Sequence, residues 1–184
     1  MYEYEIKIPK ERIAVLIGVK GRVKREIEEG AKARLNIDSE EGDVFISGND
    51  SLGLMCARDI VRAIGRGFNP EIAMRLLKQD YYFDSVDMND FARNTKDIIR
   101  VKGRVIGANG KSREKLQELT GTSISVYGKS VGIIGQIEKV EKAKQAIESL
   151  LNGSPHTKVY SKLERKNKEM RKRGILDVER RKED

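Results

Sequence analysis

A repeated glycine turn constrains this chain more than any other feature. Leu16-Ile17-Gly18-Val19-Lys20-Gly21-Arg22-Val23 returns as Val105-Ile106-Gly107-Ala108-Asn109-Gly110-Lys111-Ser112: an apolar pair, a glycine, two further residues, a second glycine and then a basic side chain. Gly18 falls on Gly107, an offset of 89 residues, and the same offset carries Ile17 onto Ile106, Gly21 onto Gly110, Lys24 onto Arg113, Ile27 onto Leu116, Leu35 onto Ile124 and Ile37 onto Val126. After Asp38 the register slips by two, so that Ser47-Gly48 meets Ile134-Gly135, as expected where one hairpin loop is longer than its counterpart. One Gly-x-x-Gly turn arises by chance in many proteins. Two in matching surroundings imply a duplicated fold.

Such a turn suits the junction of two short helices. Its glycines lack the Cβ atoms that hold a second backbone at a distance. The second glycine opens a helix whose free N–H groups and dipole attract anions. The charge distribution agrees. The 184-residue chain carries a net charge of +8. Residues 9–25 hold six Lys and Arg side chains against Glu11, and residues 100–115 hold six against Glu114. Both turns therefore sit in local positive charge, as a polyanion site requires. Gly110-Lys111-Ser112 mimics the end of a nucleotide-binding P-loop. That motif needs a glycine five positions before Gly110, where Val105 stands, and the first copy has Arg22-Val23 in place of Lys-Ser, which argues against ATP or GTP.

Along the chain, Tyr4 to Ile8 alternates as a half-buried strand, and Pro9 is placed to start a helix over 11–17. Val23, Ile27 and Ala31 mark the inner face of the next helix, with Gly30 near its end. Residues 34–37 and 44–46 make a hairpin around Glu40-Glu41-Gly42-Asp43. Asn49 or Asp50 caps a helix with Leu54, Ala57, Ile60, Val61 and Ile64 on one face. The second copy repeats the order, with a strand region over 81–91, helices over 95–106 and 111–119, a tighter hairpin at Gly128-Lys129 and a closing helix over 137–151. The expected fold is α+β: two tandem β-α-α-β-β-α units, each a three-stranded antiparallel sheet packed by three helices. The expected boundaries are 1–68 for the first unit, 69–79 for a connecting helix capped by Asn69, 80–152 for the second unit, and 153–184 for a basic C-terminal tail, helical or disordered. Residues 161–173 are almost uniformly charged, with Leu163 and Met170 as the large apolar exceptions.

Other chemistry is sparse. Cys56, the single cysteine, reads as a small apolar side chain on the inner face of a helix. With one histidine, His156, and one cysteine, no zinc site is expected, and no metal or cofactor is called for. Asp84, Asp87 and Asp90 could hold Mg²⁺ for phosphodiester cleavage, but a solvated strand edge and turn explain them more simply. No run of 18 apolar residues exists and the first residues do not read as a signal peptide, so an intracellular, cytoplasmic protein is expected.

The strand, helix, Gly-x-x-Gly turn, helix, hairpin and closing helix resemble the type I KH domain, at Ile17 to Gly21 and again at Ile106 to Gly110. The tandem arrangement, with Tyr82-Phe83-Asp84-Ser85 opening the second unit and Gly153-Ser154-Pro155-His156 closing it, resembles the Dim-two family of ribosome-assembly factors. The resemblance implies a loop that holds the backbone of about four unpaired nucleotides, with their bases in an apolar groove beside the adjacent strand. Carried over by residue, the first seat comprises Gly18, Val19, Lys20 and Gly21, with Arg22, Lys24 and Arg25 as phosphate neighbours. The second comprises Gly107, Ala108, Asn109 and Gly110, with Lys111, Ser112 and Arg113. Residues 34–37, Arg34 included, and 123–126 line the grooves by position. The resemblance further implies single-stranded RNA near the 3′ end of small-subunit ribosomal RNA as ligand, the Nob endonuclease and the alpha subunit of initiation factor two as partners, and no enzymatic activity. Eukaryotic members have a degenerate first loop and an N-terminal extension; the intact first loop and the absence of the extension lead us to expect the archaeal type. Two alternatives stay open, a protein-interaction adaptor with generic RNA affinity and a metal-dependent nuclease using Asp84.

Overall fold

Each half builds one antiparallel sheet from a first strand and a hairpin, and lays its helices on one face. The computed structural model describes residues 2–183, with side-chain environments over 2–173. The first half runs β1 (Tyr2–Lys7), α1 (Lys10–Ile17), α2 (Arg22–Ala31), β2 (Arg34–Ile37), β3 (Asp43–Gly48) and α3 (Ser51–Gly65). The second runs β4 (Tyr81–Asp87), α5 (Thr95–Ile106), α6 (Lys111–Thr120), β5 (Ser123–Tyr127), β6 (Ser130–Gln136) and α7 (Ile137–Leu151). The sheet orders are β1-β3-β2 and β4-β6-β5. Leu35 pairs with Ile46 and Ile124 with Ile133, so the two-residue slip read from the repeat lies in the hairpin loop.

Periodicity alone selected most of the core. Val23, Ile27 and Ala31 are buried on α2, and Leu54, Ala57, Ile60, Val61 and Ile64 on α3, where they meet Leu35, Val44 and Ile46 of the sheet. Asp50 is the residue that caps α3, its carboxylate accepting from the Leu52 N–H. Gly30 is the penultimate residue of α2, near the helix end as expected, and the helix closes on Lys32 in the left-handed conformation; a Cβ on Gly30 would stand 2.5 Å from Leu77, so the connector packs closely on that glycine. The connector is shorter than a helix over 69–79. It comprises α4 (Pro70–Ala73) and a 3₁₀ turn (Met74–Leu77), and Asn69 contributes its carbonyl, not its side chain, to the N-terminus.

The halves share a core. The first hydrophobic cluster continues through Phe68 and Leu76 to Phe83 and Ile134 of the second sheet. Strand alternation explains how: Val131 and Ile133 point to the second half's own helices, while Ser130, Gly132 and Ile134 point out of that layer toward the first half. Phe68 meets Phe83 edge-to-face at 6.3 Å between centroids, and a Cβ on Gly132 would stand 2.7 Å from the Phe68 ring. Polar contacts frame this patch. Arg66 donates to Ser130 Oγ, Ser125 Oγ donates to the Arg66 carbonyl, and Tyr127 Oη donates to Glu11.

Beyond Pro155 the chain forms α8 (His156–Glu183). Val159 and Leu163 of α8 are about 5% exposed and belong to the second core, so the second structural unit reaches past the expected boundary at 152. Apolar residues four apart on an otherwise charged segment suffice for this, because they fall on one face of a helix.

Candidate nucleic-acid interface

The two glycine turns superpose in dihedral space. Gly18 has φ 70°, ψ 175° and Gly107 φ 72°, ψ 176°; Lys20 and Asn109 have φ 51° and 53°; Gly21 and Gly110 have φ 73° and 77°. All six values of φ are positive, where glycine is unstrained and asparagine is tolerated better than most side chains. Neither α2 nor α6 has a side-chain N-cap, so each helix start presents uncapped N–H groups at the turn.

The glycines of each pair do different work. A Cβ on Gly18 would lie 2.5 Å from Val23 Cγ2, and one on Gly107 would lie 2.6 Å from Ser112 Cβ; these first glycines let the turn close on its own chain. Around Gly110 nothing stands within 4 Å, and around Gly21 only the end of Arg25, at 3.6 Å. The second glycines are the ones that leave room for another backbone. Gly18→Ala and Gly107→Ala are therefore expected to cost clearly more stability than Gly21→Ala and Gly110→Ala. All four carry the positive-φ cost of about 1–2 kcal/mol, and only the first two add a collision. Urea denaturation of the four variants checks this, and equal losses would refute the division.

Side chains around the seats are placed unequally. Val19 is 82% exposed, and Lys20, Ala108 and Asn109 are exposed at the tips. Arg22 forms an ion pair with Glu26 at 3.2 Å, which offsets part of its charge, whereas Lys24 stands in a cleft with Glu28, Arg34, Leu35, Asn36 and Phe45. Ser112 is corrected: it is 5% exposed, and Tyr160 of α8 donates its hydroxyl proton to Ser112 Oγ at 2.9 Å. Facing inward, that hydroxyl braces the turn and does not flank the seat. Arg113 is half-buried, and its Nε is shielded with no hydrogen-bond partner.

The groove walls hold a pair of contacts that the repeat offset could have revealed. Glu28 accepts from the Leu35 N–H, and Gln117, 89 positions later, accepts from the Ile124 N–H, both at 2.8 Å. Each ties the helix after a turn to the free edge of its sheet and fixes the groove width. A second pair gave no such signal. Arg12 donates to the carbonyls of Ile64 and Phe68, and Arg104 to those of Leu150 and Ser154, so each arginine satisfies the end of its closing helix from a different position on α1 and α5. Burial pulls the Arg12 guanidinium below its ordinary pKa. His156 starts α8, its Nε2 donating to the Arg104 carbonyl at 2.8 Å.

The acidic trio is not gathered. Asp84 is paired with Lys144 at 2.8 Å, a hydrogen bond that raises the lysine's pKa. Asp87 caps the 3₁₀ turn Met88–Phe91 by accepting from the Asn89 N–H, and Asp90 lies exposed within that turn.

The KH domain model matches residues 3–63, and that of the eukaryotic type KH-domain (KH-domain type I) matches residues 82–168. KH domain-containing protein MJ0443 of Methanocaldococcus jannaschii is 48% identical over 183 residues, covering 97% of this chain and 80% of that protein. Dim2p in the crystal structure of the a/eIF2alpha-aDim2p-rRNA complex from Pyrococcus horikoshii is 49% identical, with a TM-score of 0.85 over 91% of this chain and 95% of that one. The chain belongs to the Dim2p family of tandem KH-domain proteins. The Pre-rRNA-processing protein PNO1 of Candida albicans is more distant, 27% identical over 165 residues, which cover 86% of this chain and 60% of that protein. The second family match runs through α8 to residue 168, in keeping with the burial of Val159 and Leu163. Among the described residues, no helix is long and apolar enough to cross a membrane.

Proposed function

We propose that the chain is a non-enzymatic, single-stranded RNA-binding protein that acts near the 3′ end of small-subunit ribosomal RNA during ribosome assembly. The observation that carries this reading is the pair of near-identical glycine turns, each in local positive charge, at an uncapped helix start, with an open second glycine. In this reading Gly18 to Gly21 and Gly107 to Gly110 hold the RNA backbone. Lys20, Arg22, Lys24, Arg25, Lys111 and Arg113 neutralise phosphates, and Arg34 and the edges of β2 and β5 meet the bases. Phosphate contacts set the register, and base edges in the groove select sequence. The paucity of aromatics suits aliphatic groove walls.

Two relatives support the choice of RNA: Pyrococcus Dim2p forms a complex with rRNA, and the Candida protein is a pre-rRNA-processing protein. The same complex supports the alpha subunit of initiation factor two as a partner. The Nob endonuclease and a cytoplasmic location follow from the family reading. Engagement of Asp84 by Lys144 and of Asp87 as a cap supports the absence of a nuclease centre.

A salt titration tests the function. Binding to a short single strand ending like the 3′ terminus of small-subunit ribosomal RNA should weaken with salt at a slope of roughly −0.7 per phosphate contact in log–log form. It should exceed binding to a scrambled strand and to the matching duplex. Equal, weak binding to all three would remove ribosomal RNA as the ligand.

A further inference from the structure

The first half has no counterpart of α8. After α3 the chain turns through Gly65-Arg66-Gly67 into the connector, whereas after α7 it returns as α8 along α6 and α7. That return creates a groove of about 230 Å³ between α7 and α8. Lys158, Lys162 and Lys166 of α8 and Lys142 of α7 line it, together with Gln145 and Ser149 and the buried Ala146, Val159 and Leu163. Among the described residues lining it none is acidic, and Lys158 and Lys162 form no ion pair there. The nearby Arg165 and Glu169 answer each other.

The spacing is that of a backbone reader. Lysines four residues apart rise about 6 Å per step along a helix, comparable with the separation of successive phosphates on one strand. Lys142 is also shared with a larger neighbouring cleft, where Tyr82, Ile137 and Met170 stand 46%, 65% and 47% exposed beside Asn167 and Gln136. The lining also carries Asp80, Glu138, Lys139 and Arg171, and its exposed apolar and amide side chains accept an unpaired base and have nothing to offer a duplex, whose bases are stacked. The groove also starts close to the second glycine turn. Tyr160, two residues beyond Lys158, bonds to Ser112, so the thickness of one helix, about 10 Å, separates groove and turn.

From this arrangement we infer that the α7–α8 groove is a third RNA-binding surface. It takes the phosphodiester backbone of single-stranded RNA that continues past the second glycine turn. It rests on the RNA-binding reading above and extends the footprint beyond both turns. An acidic protein segment is the competing occupant; the regular lysine spacing and the adjoining base-sized cleft favour RNA.

The test uses the full chain and the variant Lys158→Gln/Lys162→Gln/Lys166→Gln, which removes two exposed charges and the half-buried one of Lys166 without adding acids. Two single-stranded RNAs with the same ribosomal 3′ sequence serve as probes, one of about 10 nucleotides, enough for two turns, and one of about 20. The unsubstituted protein should bind the longer RNA more tightly and with a steeper salt slope. The variant should lose about tenfold or more on the longer RNA, flatten its slope by about 2, and change less than about twofold on the shorter. Unchanged binding of the longer RNA overturns the groove alone. Equal losses on both probes overturn it too, since they assign the lysines to the general field. Failure of the unsubstituted protein to bind either RNA overturns the RNA-binding reading and this inference together. Thermal melting of the variant within a few degrees of the parent confirms that all arms report binding.

Discussion

The quadruple variant Val19→Asp/Lys20→Asp/Ala108→Asp/Asn109→Asp is expected to lose single-stranded RNA binding by at least about a hundredfold while staying folded. All four side chains lie exposed at the tips of the turns, so none contributes to either core. Two of the positions have φ near 50°, and aspartate is among the residues that accept that conformation. The aspartates place negative charge where a phosphodiester would meet the uncapped starts of α2 and α6. Each pair alone should remove one module's contribution, and the two partial losses divide the affinity between the halves. The measurement is RNA affinity at fixed salt beside a thermal melt. A control moving the same net charge to other surfaces separates local repulsion from loss of the overall field. A well-folded quadruple variant with parental affinity would remove both turns from the RNA site.

Phe68→Ala should destabilise the protein by about 3–5 kcal/mol, the usual cost of truncating a buried phenylalanine. Phe68 is 3% exposed, meets Phe83 edge-to-face and lies against Gly132, so its removal opens a hole between the halves and leaves both cores standing on either side of it. Each half is small for independent stability, and the shared cluster offsets that. A urea titration should show the loss as an earlier transition, split into two if the halves then unfold separately. A parental midpoint would mean that the contact contributes nothing and that each half is stable alone.

The repeat made the site legible early because a glycine turn is a local object. Gly18, Gly21, Gly107 and Gly110 are where they are for reasons contained in a few residues of chain, and their geometry repeats within a few degrees. The same holds for the faces of α2, α3 and α7, whose buried residues recur at helical spacing. Where a reading failed, a distant partner had decided the matter. The second unit runs past residue 152 because Val159 and Leu163 of α8 are buried against it. Ser112 faces inward at the repeat position of Val23, and Tyr160, 48 residues on, bonds it there and occupies its hydroxyl. Glu28 and Gln117 were legible in principle, since both occupy the same place in the repeat, but a carboxylate and an amide do not look alike until both are seen accepting from a strand edge.

By itself, the sequence determined the duplicated unit, the order of its elements, the two anion-attracting turns and the slip between the copies, all set by spacing and by backbone preferences that act over a few residues. Tertiary structure alone decided which face of the second sheet meets the first half, which turn residues point to solvent, and that a charged C-terminal segment docks by Val159 and Leu163 to form a lysine-lined groove. Those outcomes depend on surfaces remote in the chain coming together. Their energies arise from burial and close approach, which no local pattern encodes.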